Sequence, residues 1–135
     1  MGYMEIDADY QPSEDEPFMN ERQKEYFRLK LEAWIAEILR ESRTTISVLQ
    51  GDTDKLPDAA DRASSETDKS IELRARDRQR KLITKIDSAL RRIEDGSYGY
   101  CEETGEPIGI KRLDARPIAT LSIEAQERHE KREKV

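Results

Sequence analysis

Apolar residues recur every three or four positions along two long stretches of the chain. In the first, Phe27, Leu31, Trp34, Ile35 and Ile38 are followed, after a polar turn, by Thr45 and Leu49. In the second, Ile71, Ala75, Leu82, Ile86, Ala89, Leu90 and Ile93 keep the same spacing. That spacing predicts two amphipathic helices, each with one buried seam. Asn20, with Gln23 three residues on, reads as a helix start with a capping box. Gly51-Asp52 and Leu56-Pro57 read as the break between the helices. Asp58 reads as the cap of the second, which carries Asp61 at its third position and stops at Gly96. Two helices of about 30 residues with a short connection are expected to pack antiparallel into a rod of roughly 45 Å.

The pattern changes at Tyr98. Residues Tyr98 to Ile110 are rich in glycine and aromatics and read as a small β-hairpin or knuckle. Leu113 to Pro117 reads as a connector, and Ser122 to Val135 as a short last helix. The expected fold class is therefore mainly α. Residues 1–19 form an acidic arm. Residues 20–96 form a long antiparallel helical hairpin (coiled coil) with its tip near 52–63. Residues 97–135 form a small globular head with a C-terminal helix.

Composition agrees with a narrow seam. The 135 residues are 40% charged and only 35% hydrophobic, enough to fill a two-helix seam but not a large core. No apolar run approaches 18 residues and no basic-then-apolar start is present, so neither a membrane span nor a secretory signal is expected. A single cysteine excludes an internal disulfide and suits a reducing cytoplasm.

The net charge of -6 sits almost wholly in the arm. Glu5, Asp7, Asp9, Glu14, Asp15 and Glu16 are there without a single Lys or Arg, which leaves 24 acids against 24 bases in the rest. Such a balance argues against duplex binding, which draws its affinity from phosphate neutralisation. The arm is expected to be disordered, or loosely docked through Tyr3, Ile6, Tyr10 and Phe18.

The second helix carries another stripe. Arg74, Arg78, Lys81, Lys85 and Arg92 fall within an arc of about 60° at roughly 100° per residue, beside the apolar seam. Few acids stand at the i+4 positions that would neutralise it, so its positive field is partly open. The alternative is a solvated face whose long stems cover the seam.

Autonomous chemistry is missing. His129 stands alone in a charged run. No Gly-rich phosphate loop precedes a helix, and neither Ser nor Cys has a plausible base. Asp58 and Asp61 would hold a divalent cation only weakly unless a partner completed the shell. As purely structural residues, they would cap the second helix and meet its N-terminal dipole. The chain does not read as an enzyme.

Several runs together resemble the DksA/TraR family of bacterial RNA polymerase regulators. They are Asp58-x-x-Asp61-x-Ala63 and Glu72-Leu73-Arg74-x-Arg76-Asp77-Arg78. They continue with Lys81-Leu82-Ile83-x-Lys85-Ile86, Tyr98-Gly99-Tyr100-Cys101 and Ile108-Gly109-Ile110-x-Arg112-Leu113-x-Ala115-Arg116-Pro117. The resemblance runs from about Phe18 to the last helix. It implies a cytoplasmic, monomeric factor whose coiled coil enters the polymerase secondary channel and acts with ppGpp at ribosomal RNA and stress or amino-acid promoters. It implies no sequence-specific DNA binding and no membrane. Asp58, Asp61, Arg62 and Ala63 would be the working tip, and Arg74 would touch the channel rim. Lys85, Arg116 and Gln126 would stand at the alarmone site formed with the polymerase.

Two departures matter. The family's four-cysteine zinc positions read Cys101, Thr104, Ser122 and Ala125, and one thiolate cannot hold a structural zinc. The head is then expected to be held by Tyr98, Tyr100, Ile108, Ile110, Leu113, Ile118 and Leu121. Gln126 stands where a lysine helps bind the alarmone, so a charge-assisted contact is lost and a weaker response is expected. Ala59 replaces a proline common at the tip. Two other readings remain at this point. One is a Gre-like transcript-cleavage factor, which shares an acid-tipped hairpin but orders its parts differently. The other is a coiled-coil adaptor with no polymerase link.

Overall fold

The computed structural model describes the backbone of residues 6–53 and 59–133, and the side chains of 6–43 and 66–133. The order is α1 (Glu21–Thr53), α2 (Ala59–Asp95), α3 (Ile110–Ala115) and α4 (Ile123–Glu133). No strand occurs among the described residues. The expected hairpin after Tyr98 reduces to a single antiparallel bridge between Tyr100 and Pro107. The chain divides into two compact units, a head (Met1–Glu32 with Ile86–Val135) and a hairpin (Ala33–Lys85).

Helix α1 starts as expected, with the Gln23 N–H donating to Asn20 Oδ1 at 2.9 Å. The reciprocal bond differs. Gln23 Oε1 accepts from the Met19 N–H at 2.7 Å, because the Asn20 N–H is already directed at the Pro17 carbonyl (3.3 Å). Gln23 Nε2 then reaches the Ser13 carbonyl at 3.2 Å, so this fully buried amide ties the arm to the helix. The predicted break at Gly51-Asp52 does not occur, since α1 runs through both residues to Thr53. A single glycine costs a helix only about 1 kcal/mol and removes no backbone donor. Leu56-Pro57 and the Asp58 cap lie outside the described residues.

Helix α2 ends where expected. Gly96 takes φ 86°, and the Ser97 N–H bonds back to the Arg92 carbonyl at 3.0 Å. That six-to-one bond closes a Schellman motif. Asp95 Oδ1 accepts from both the N–H and the hydroxyl of Ser97 (2.9 and 2.6 Å), which holds its carboxyl below the usual carboxylate range.

In the head, Phe27, Leu31, Ile86, Ala89, Leu113 and Ala125 are fully buried, with Tyr98, Cys101, Ile108 and Ile110 nearly so. Tyr100, Ile118 and Leu121 are only half-buried. The Phe27 and Tyr98 rings lie 5.6 Å apart, and the Tyr98 hydroxyl donates to the Pro117 carbonyl at 2.8 Å. Arg28 pairs with the buried Glu25 and, at 2.7 Å, with Glu32. Residues Leu113 to Pro117 are not a plain connector, because α3 occupies Ile110–Ala115.

The arm is docked rather than loose over residues 6–19. Tyr10 donates to Glu16 (2.8 Å) under the Arg22 guanidinium, Phe18 meets Tyr100 edge-on at 5.4 Å, and Met19 is buried. Tyr3 lies outside the described residues. In the hairpin unit, Ile38 is buried, and Trp34, Ile35, Ala75 and Leu82 are half-buried. Ile71 departs from the predicted seam, with 56% of its surface exposed.

Gly99 is required where the arm crosses the head. Its φ is +90°, and a Cβ there would meet Phe18 Cζ at 3.1 Å and Met19 Cγ at 3.2 Å. Left-handed backbone costs a non-glycine residue about 1–2 kcal/mol, and overpacking about 1–3 kcal/mol more. Gly105, at φ +75°, has open space around it. We therefore expect Gly99→Ala to lower the chemical-denaturation midpoint clearly more than Gly105→Ala. Equal losses would show that the arm does not press on Gly99.

Candidate functional site

The predicted tip begins outside the described residues, where Asp58 lies. Asp61, Arg62 and Ala63 follow as the third, fourth and fifth residues of α2. An acid in a helix's first turn sits beside unpaired backbone N–H groups and the positive end of the dipole. The side chains of these three residues lie outside the described set.

Farther along α2, Arg74, Arg78, Lys81 and Lys85 are exposed, as the stripe predicts. The expectation of few neutralising acids holds for only part of it. Lys81 pairs with Asp77 at 3.1 Å, and the half-buried Arg92 approaches Glu102 at 3.9 Å. No ion pair joins Arg74, Arg78 or Lys85 to another described residue. The open field therefore narrows to three cations.

In the head, the four zinc-finger positions do come together. Cys101 is buried at the turn after the Tyr100–Pro107 bridge. The turn is closed by the Cys101 N–H on the Glu106 carbonyl (2.8 Å) and the Gly105 N–H on the Cys101 carbonyl (2.9 Å). Ser122 starts α4, its Oγ accepting from the Ala125 N–H at 3.2 Å, and Ala125 is fully buried. Burial pushes the Cys101 thiol up, but hydrogen bonds from Thr104 and Ser122 outweigh it and bring the thiol down to about 6. One sulfur, two hydroxyls and a methyl are not the four thiolate or imidazole donors of a structural zinc site. Among the described residues, no group of three or more His, Cys, Asp or Glu is placed to hold a metal. His129 instead faces Glu103, Nε2 to Oε1 at 2.5 Å, with Arg128 3.7 Å away. The hydrogen bond from His129 lowers the Glu103 carboxyl.

The alarmone-site positions divide between the units. Lys85 belongs to the hairpin, Arg116 and Gln126 to the head. Arg116 caps α3, with its N–H on the Arg112 carbonyl at 2.8 Å and its side chain exposed. Gln126 is half-buried on α4, with Nε2 3.4 Å from Glu130.

Sequence reasoning missed the polar junction at Asp114. Asp114 Oδ1 accepts from the Tyr26 hydroxyl (2.6 Å) and the Lys30 ammonium (2.7 Å), and Lys30 also donates to the Asp114 carbonyl (2.8 Å). Burial pushes the Asp114 carboxyl up, but those two donors outweigh it and hold it low. Burial, and then the same contact, raise Tyr26 to about 12. Tyr26 and Lys30 sit one helical turn apart, a visible pairing. Nothing in the sequence links them to a residue more than 80 positions away.

The family described as DnaK suppressor protein DksA, N-terminal domain, matches residues 23–93, and the prokaryotic dksA/traR C4-type zinc finger matches residues 96–131. The RNA polymerase-binding transcription factor DksA of Caulobacter vibrioides (strain NA1000 / CB15N) is 73% identical over 128 residues, covering 95% of this chain and 90% of its own. The factor of the same name in Escherichia coli (strain K12) is 46% identical over 125 residues, 93% of this chain and 83% of its own. The structure of transcription factor DksA2 from Pseudomonas aeruginosa superposes with a TM-score of 0.81 at 43% identity, covering 93% of this chain and 95% of that one. The helical order, the head and this identity across nearly the whole chain lead to one conclusion: the protein belongs to the DksA family.

Proposed function

We propose that this protein binds RNA polymerase and regulates transcription, without catalytic chemistry of its own. The observation that carries the reading is the 73% identity, over 95% of the chain, to a factor named for polymerase binding. Arg74, Arg78 and Lys85, exposed and without an ion pair to another described residue, support it, since open cations on a helix suit an acidic partner surface. In this reading the hairpin enters the secondary channel, Arg74 meets its rim, and Asp58, Asp61, Arg62 and Ala63 act near the catalytic centre. Arg116, Lys85 and Gln126 each contribute to a ppGpp site that the polymerase completes. The factor acts as a cytoplasmic monomer at ribosomal RNA and stress or amino-acid promoters, and reads no DNA sequence. Multi-round transcription from a ribosomal RNA promoter, with and without this protein and ppGpp, tests the reading. No change in transcript level in any arm would refute it.

The head closes without zinc in this proposal, because its four positions supply a single thiolate. Protein purified without chelator is expected to hold far less than one equivalent of zinc and to keep its melting temperature in excess chelator. Stoichiometric zinc whose removal unfolds the head would overturn this.

Asp61→Asn keeps the tip's bulk and removes its charge. Regulation of sensitive promoters is expected to disappear. Polymerase affinity should change by no more than about fivefold, the scale of one exposed ion pair. A first-turn acid is worth only about 0.3–1 kcal/mol to its helix, so melting should barely move. Normal regulation by the variant, or lost activity that tracks lost fold, would make Asp61 structural.

Gln126→Lys restores a charged donor at the alarmone position. A charge-assisted bond to phosphate is worth about 1.5–3 kcal/mol, so the ppGpp concentration for half-maximal effect should fall about tenfold or more. Lys85→Ala should raise it. Unchanged ppGpp dependence in both variants would remove these residues from the site.

A further inference from the structure

Helix α3 is only six residues long, and its N-cap, Gly109, makes no side-chain cap bond. A helix of that length is far below what stands alone in water. Its position must come from tertiary contacts. Two of its residues, Ile110 and Leu113, are buried. Apolar burial fixes which face of α3 turns inward, but it is non-directional and leaves the exact angle of so short a helix with some freedom.

Two directional ties remove that freedom. On one side, Arg112 Nε donates to the Leu121 carbonyl at 3.0 Å. On the other, Asp114 accepts from Tyr26 and Lys30 of α1, and Lys30 also bonds the Asp114 carbonyl. That carbonyl belongs to the last turn of α3, where carbonyls lack helical partners. Arg116 follows two residues later. Its main chain is fixed by the Arg116 N–H on the Arg112 carbonyl and by the Ala119 N–H on the Arg116 carbonyl, 3.0 Å. Its guanidinium is exposed and makes no ion pair among the described residues.

We propose that Asp114 is a positioning residue: by holding α3 against Tyr26 and Lys30, it sets the direction in which Arg116 presents its guanidinium to a polyphosphate anion. This rests on the reading that Arg116 contacts ppGpp. Arginine recognises phosphate through a planar fork, so the angle of presentation sets affinity as much as charge does. A purely stabilising role fits Asp114 less well. The Lys30 and Asp114 side chains are 38% and 40% exposed, and exposed ion pairs add little stability.

The test is a ppGpp titration of promoter transcription with Asp114→Ala, Arg116→Ala and the double variant, with polymerase affinity and melting measured alongside. Asp114→Ala is expected to raise the half-maximal ppGpp concentration about tenfold, the loss of one well-oriented charged contact. It should leave ppGpp-free polymerase affinity and melting near the parent values. Asp114→Glu, which keeps the charged acceptor, should recover part of the response. In the Arg116→Ala background, Asp114→Ala should add nothing. If Arg116→Ala alone leaves the response unchanged, the ppGpp reading fails and this proposal falls with it. If Arg116→Ala weakens the response but Asp114→Ala does not, only the positioning role fails. Additive effects, or a loss that follows melting or polymerase affinity, would show Asp114 to be structural.

Discussion

Phe27, Leu31, Ile86, Tyr98 and Leu113 converge in the head, and closing that cluster is the condition on which its other features depend. Burying a large apolar side chain stabilises by about 1.5–3 kcal/mol. Three of the family's four metal positions are Thr104, Ser122 and Ala125 here. Thr104 and Ser122 still meet Cys101, whose sulfur accepts hydrogen bonds where a finger would bind metal.

The arm contributes to the same closure. Gln23, fully buried, bonds to Met19 and to Ser13 and so fastens the arm at two points. Phe18 then lies against Tyr100, and Gly99 lets both Phe18 and Met19 approach the turn. An acidic segment that looks solvated by charge is thus anchored by its few apolar residues. Glu16 is spent on Tyr10 and the Ser13 N–H.

The basic face of α2 has a different logic. Lys81 is balanced by Asp77 within its own helix, whereas Arg74, Arg78 and Lys85 make no ion pair with another described residue. The head adds Arg116 at the end of α3, fixed in main chain and exposed in side chain. Flexible surface lysines would offer charge alone. A short pinned helix offers charge with direction.

Much of this was legible in the chain. Helix periodicity located Phe27, Leu31, Ile86, Ala89 and Ile93, and Gly96 marked the end of α2, because local spacing and local backbone chemistry decide both. The runs around Arg74, Lys85, Cys101 and Arg116 were enough to identify the family, and the loss of three metal ligands was read directly. Where the reading failed, the causes differed from place to place. Gly51 did not stop α1, since one glycine's cost is small beside a long helix. Arg92 was drawn off the open stripe by Glu102. Ile71 fell outside the buried seam despite its spacing. The junction of Asp114 with Tyr26 and Lys30 had no local signature, because its partners lie on opposite sides of the hairpin in sequence. By itself, the sequence determined the helices, the charges and the family. Only the tertiary structure decided which charges are paired and which groups tie α3 down, because those depend on which distant groups the packed core brings within hydrogen-bonding reach.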